Sequence, residues 1–185
     1  MVSLNKTDML SAMSAHVRAH GLAGASLRPL ARAAGTSDRM LIYHFGSKDG
    51  LMAALLSHLA DQMAGNLSAA MPKDPAEGEA DCLSQILALL RTSTFAPDVR
   101  IWFDILSAAA RGDAAHVAAG HVILNAQVQW IAARLPAGTR RPNLRAREIL
   151  AVLQGVLVMD AVGMTKAADA AVARFCRDTA PVTAE

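Results

Sequence analysis

The stretch SLRPLARAAGTSDRMLIYHFGSKDGL, residues 26–51, decides how this chain is read. Ser26 stands at an N-cap position, and Pro29 falls in the first turn, where its missing N–H has no intrahelical partner to lose. The spacing predicts a short helix over 27–34, ended by Gly35, a residue that accepts the positive φ of a tight turn. Ser37 is then placed to cap a second short helix, 38–45, which Gly46 ends. Ser47 caps a longer helix whose apolar stripe is Leu51, Leu55 or Leu56, Leu59, Met63 and Leu67. Two short helices around a Gly-containing turn make a helix-turn-helix. In that arrangement the second helix can enter a DNA major groove while the first braces it across the backbone.

Working outward, the preceding segment predicts a helix over about 5–20, with Met9 or Leu10, Met13 and Val17 at helical spacing and Gly21 as its stop. Pro72-Lys-Asp-Pro75 is the first clear break. Beyond it, Glu77, Glu79 and Asp81 suit the start of a helix carrying Leu83, Ile86, Leu87 and Leu90. Pro97 opens another helix, ending near Gly112, and a long one follows over about 114–135. Residues 136–142 have the composition of a loop. A strongly apolar helix over 145–164 and a final one over 166–177 precede a frayed tail from Thr179 onward. Nothing has the period of a strand, so the expected fold is all-α.

The 185 residues are 53% apolar and 18% charged, enough for a sizeable core and too apolar for a disordered chain. Alanine and leucine dominate, and both enter helices at little entropic cost. Net charge is +2, and the first 64 residues hold the excess, with six Lys/Arg against four Asp. Cys82 and Cys176 are far apart, match no metal spacing and suggest a reduced protein rather than a disulfide scaffold. There is no signal-peptide pattern, and the most apolar segment, 149–164, is interrupted by Gln154 and Asp160 and too short to span a bilayer. A cytoplasmic protein is expected. His16 and His20 have chelating i, i+4 spacing, but no third ligand sits at a recognisable offset, so neither metal nor cofactor is expected. No phosphate loop, nucleophile elbow or paired-carboxylate motif points to an enzyme.

The elements Ser26, Leu30-Ala31, Ala34-Gly35, Ser37, Leu41, Tyr43-His44-Phe45, Ser47-Lys48 and Leu51 together resemble the DNA-binding signature of the tetracycline-repressor (TetR/AcrR) family of bacterial regulators. The resemblance covers about residues 5–65. It implies an N-terminal three-helix domain, 1–48, that reads a palindromic DNA operator, and a C-terminal helical bundle, 49–185, that binds a small molecule and dimerises. A ligand-responsive repressor is the implied function. The implied DNA-binding set is Ser26, Arg28, Ser37, Asp38, Arg39, Met40, Tyr43, His44 and Lys48. Ser26, Arg28 and Lys48 would meet phosphate, while Asp38, Arg39 and Met40 would face base edges. Two positions depart from the family pattern: Ile42 stands where a Tyr is usual, and Arg39 where a small residue is common. Arg is the commonest bidentate reader of guanine, which makes Arg39 the expected specificity determinant.

In the C-terminal part, Met63, Leu67, Trp102, Phe103, Leu106, Gln127, Trp130, Gln154 and Met159 lie on helices that surround a ligand in the resembled family. An apolar lining with few polar groups suits an apolar or aromatic small molecule. Gln127, Gln154 and Asp160 interrupt apolar helices and need partners, which a ligand or a second subunit could supply. The helix over 145–164 is apolar nearly all round, unlike the surface helix of a monomer. Ala151, Gly155, Val158, Val162, Ala171 and Phe175 are therefore expected at a homodimer interface. The competing reading is a helical small-molecule-binding or adaptor protein that has kept the motif but lost DNA binding.

Overall fold

A computed structural model describes residues 5–179; the tail expected beyond Thr179 lies outside the described residues from position 180 on. The described residues are all-α, with nine α-helices, one 3-10 turn and no strand. They fall into two compact units, the chain up to Ala69 with Ser93–Ile123, and Ala70–Thr92 with the chain from Leu124 on. These units are a different partition from the functional division at residue 48, which remains a proposal.

In the first unit, α1 (Lys6–His20) begins one residue later than expected, because Asn5 is its cap and accepts from the Asp8 N–H at 2.8 Å. Its buried face is Met9, Met13, Ser14 and Val17. A 3-10 turn (Leu22–Gly24) leads into α2 (Leu27–Ala33). The end of α2 closes by two bonds, Thr36 N–H to the Ala31 carbonyl at 2.9 Å and Gly35 N–H to the Arg32 carbonyl at 3.1 Å. This is the Schellman pattern, and it needs the positive φ that Gly35 adopts at 63°. The helix α3 (Asp38–Phe45) has the bounds expected from its caps, and α4 (Lys48–Ala70) buries Leu51, Leu55, Leu56, Leu59 and Leu67. Met63, expected in that stripe, is only partly buried.

The helix α6 (Ala96–Ala110) belongs to the same unit and packs against α1 and the turn that follows it. Polar anchors hold the contact. Arg18 donates to Asp98, whose residue is 5% exposed. The Leu22 N–H donates to the Asp104 carboxylate at 2.8 Å, and Arg100 donates to the Arg18 carbonyl at 3.2 Å. Two acidic side chains of α6 therefore fasten the C-terminal end of α1.

The second unit contains α5 (Glu79–Leu90), α8 (Pro142–Ala161) and α9 (Thr165–Asp178). The helix α7 (Ala114–Ala132) runs from the first unit into the second. It stops short of the expected residue 135 because 133–135 close as turns, with the Arg134 N–H on the Ile131 carbonyl. In contrast, α8 starts three residues before the expected 145, with Pro142 at its first position, where proline fits a helix start rather than prolonging the loop. Arg91, at the C-cap of α5, ties both neighbouring helices, donating to Asp160 of α8 at 2.8 and 3.1 Å and to Asp169 of α9 at 2.8 Å. Asp160 therefore has an internal partner, and its interruption of the apolar helix calls for neither ligand nor second subunit.

Cys82 is fully buried in α5, and burial pushes its thiol up to about 11, an effect that Arg134 only partly offsets. Cys176 is partly exposed. Because the thiolate is the nucleophile, iodoacetamide at pH 8 should modify Cys176 in the native protein and leave Cys82 unmodified until urea unfolds the chain. Mass spectrometry of the alkylated peptides reads both rates; labelling of Cys82 at the rate of Cys176 would contradict its burial.

Candidate nucleic-acid interface

The interface begins with how α3 is held. Ser37 accepts from the Met40 N–H at 3.3 Å, and at the far end the Gly46 N–H reaches the Ile42 carbonyl at 2.8 Å with φ at 81°. Leu41 alone is buried in this eight-residue helix, at 0% exposure, and pins it to the unit beneath. Phe45 is only partly buried, and its ring lies 5.6 Å from the Lys6 ammonium. Its position in the last turn brings it to the edge of the core rather than the centre.

With Leu41 turned inward, the opposite face of α3 is open. Arg39 is exposed, Met40 is 41% exposed and Tyr43 77% exposed. Asp38 and His44 are partly buried, and the His44 ring meets Tyr43 edge-on at 5.4 Å. Ser37 and Lys48 flank the helix and are exposed. On α2, Ser26 and Arg28 are exposed too. Ser26 makes no side-chain cap bond, contrary to expectation, because the third helical position that would donate to it is Pro29, which has no N–H. Its hydroxyl is left free for another acceptor or donor. Ile42 is partly buried, so the side chain standing where the resembled family has a tyrosine packs rather than projects.

Sequence reading missed Arg32. It is exposed four residues after Arg28, on the same face of α2, and that i, i+4 spacing was the available signal. The exposed cations Arg28, Arg32, Arg39 and Lys48 face fewer acids, Asp38 and Asp49 being the carboxylates on α3 and the start of α4. The excess suits a polyanion, and it is concentrated on the elements flanking the turn.

The corner between α3 and α4 is tight. Ser47 accepts from the Gly50 N–H at 2.9 Å, and a Cβ on Gly50 would lie 2.4 Å from the Phe45 carbonyl oxygen. Only glycine lets the start of α4 come this close to the end of α3.

His16 and His20, considered above as a chelating pair, instead stack with ring centroids 4.3 Å apart, and His20 Nδ1 lies 2.9 Å from the His16 carbonyl oxygen. Among the described residues no group of three His, Cys, Asp or Glu could hold a metal ion, and no helix is long and apolar enough to cross a membrane. Of the residues expected around a ligand, Met63, Leu67, Trp102, Phe103 and Leu106 belong to the first unit, and Gln127, Trp130, Gln154 and Met159 to the second. Leu67 and Trp102 are buried, and the others partly so. Gln127 keeps a buried Oε1 with no hydrogen-bond partner. On α8, the face opposite the buried Ile149, Leu153, Val156 and Leu157 is open: Ala151, Gly155 and Val158 are exposed, as are Val162 at its C-cap and Ala171 on α9, while Phe175 is partly buried.

Comparison with known proteins gives the same picture of the N-terminal elements. The profile of bacterial regulatory proteins of the tetR family matches residues 15–55, the span from mid-α1 to the start of α4. A curated relative, the HTH-type transcriptional regulatory protein RaaS of Mycobacterium tuberculosis, is 30% identical over 140 residues, covering 74% of this chain and 61% of its own length. This chain thus spans somewhat under two thirds of that relative. Among solved structures, a transcriptional regulator from Rhodococcus sp. Rha1 superposes with a TM-score of 0.71 over 96% of this chain and all of its own, at 22% identity. The multidrug binding protein EbrR, solved with imidazole, superposes with a TM-score of 0.66 at 25% identity, over 96% of this chain and 90% of its own. Taken with the helix-turn-helix, its glycine-closed turns and its open cationic face, these likenesses identify residues 15–55 as an N-terminal domain of the tetR family of bacterial regulatory proteins.

Proposed function

We propose that this regulator binds a palindromic DNA operator as a homodimer, represses the adjoining genes and is released by a small apolar or aromatic molecule. The open face of α3, with Arg39, Met40 and Tyr43 exposed around one buried anchor, carries the reading. A major groove admits one α-helix, and exposed Arg with flanking phosphate contacts is the chemistry such a helix needs. Dimerisation is supported by the open small-residue face of α8, where a Cβ added at Gly155 would meet nothing within 4 Å. Two such faces could approach closely and bury Val158 and Val162 isologously. Binding of a small molecule is supported by the unpaired Gln127 Oε1 and by the likeness to a multidrug binding protein. A ligand that prefers a different spacing of the two recognition helices must weaken operator binding, by linkage.

The test is a mobility shift on the DNA upstream of the protein's own gene, repeated across salt concentrations. Lys48→Ala should lower affinity by a similar factor on every sequence and reduce the slope of log K against log salt by about 0.9, one phosphate contact. An unchanged slope would remove Lys48 from the interface. Absence of any sequence-preferring binding by the wild-type protein would favour a ligand-binding or adaptor protein that no longer reads DNA.

A further inference from the structure

Resting on the DNA-reading proposal above, we infer that each operator half-site presents a guanine and, within a base step of it, a thymine, read respectively by Arg39 and by the apolar side chain of Met40. Among described residues up to Leu51, Met40 and Tyr43 are the exposed large apolar side chains, and both lie on α3. They are three residues apart and so share a face, with Arg39 next to Met40 in the first turn. Ser37 fixes that turn by accepting from the Met40 N–H, so the two side chains leave the helix start from a defined backbone.

The chemistry of the groove then limits what each can read. Arg39 makes no hydrogen bond or ion pair among the described residues, which leaves its whole fork of donors for guanine O6 and N7. Methionine offers neither a strong donor nor a strong acceptor, and the one apolar group that a natural unmodified base pair displays in the major groove is the thymine C5-methyl. An exposed methionine on a DNA-facing helix is therefore matched to thymine, as a contact by burial rather than by hydrogen bonding. Adjacent residues in the first turn reach bases close together, which is why the two readings fall within a step of each other.

Selection from a random duplex pool with the full-length wild-type protein gives the half-site. Its thymine is then replaced by deoxyuridine, which removes the methyl group and nothing else. Wild-type affinity should fall about three- to fivefold, the scale of one buried methyl group, while Met40→Ala should bind the two duplexes equally. Arg39→Ala should lose preference at the guanine, by roughly tenfold or more, and keep its dependence on the methyl. Far-UV circular dichroism confirms that both surface variants remain folded. If a half-site is selected but uracil binds as well as thymine, or Met40→Ala still discriminates them, the methionine assignment is wrong and DNA reading stands. If no sequence is selected, the DNA-reading proposal itself fails.

Discussion

Replacing Arg18 with alanine is expected to lower the free energy of unfolding by about 2–4 kcal/mol, more than any surface substitution on α3. Asp98, its partner, is almost wholly buried, and its Oδ2 already has no hydrogen-bond partner. Arg18 supplies the charge that makes this burial tolerable, through the contact to Oδ1. Removing it leaves an unpaired anion inside the protein, the costly case for buried ion pairs. The Arg18 side chain is 28% exposed, so water can partly replace it, which places the effect below that of a fully buried pair. Urea unfolding followed by circular dichroism measures the loss. Arg18→Met combined with Asp98→Leu should recover most of it, because two apolar groups leave no charge stranded. A loss under about 0.5 kcal/mol in Arg18→Ala would mean that the contact does not hold α1 to α6.

Gly50→Ala is the second large effect, and it falls on DNA binding more than on the fold. The added Cβ would sit 2.4 Å from the Phe45 carbonyl oxygen, a backbone atom that cannot swing aside as a side chain would. The corner between α3 and α4 must open. Strain of this kind costs about 1–3 kcal/mol, and alanine's better helix propensity, about 1 kcal/mol, offsets part of it. Opening the corner moves α3 against α4, so Lys48 and the α3 side chains no longer keep the one spacing that the proposed DNA interface needs. Operator affinity should drop at least about tenfold, the loss of one or more base or phosphate contacts, while the helix content of the protein is retained. Gly50→Ala binding the operator as tightly as wild type would show that the corner does not set the position of α3.

These two sites also show where sequence reading stops. The bounds of α3 were legible because its signals are local: Ser37 caps one end, Gly46 closes the other, and both act within a turn of the residue they cap. Its exposed face lies opposite Leu41, the one buried residue of the helix. The Arg18–Asp98 contact joins residues 80 apart, and nothing in the spacing of either helix announces the other. Nothing in the sequence signals the constraint at Gly50, since it comes from a neighbouring carbonyl rather than from its own φ. Ser26 misled because the residue type favours a cap while the proline three positions on removes the donor. Asp160 misled in the opposite direction, as its partner Arg91 stands at the end of another helix. The α1–α6 anchors and the Arg91 clamp thus required three dimensions, whereas the helix-turn-helix did not.

If the proposed reading of DNA through paired α3 helices holds, selection of wild-type protein on random duplex DNA yields a two-fold symmetric consensus. Its half-sites should lie about 34–36 Å apart, or a multiple of that spacing, centre to centre. Binding to it should weaken steeply as salt is raised. Recovery of unselected sequences, or equal binding to the consensus and to scrambled DNA, would contradict it.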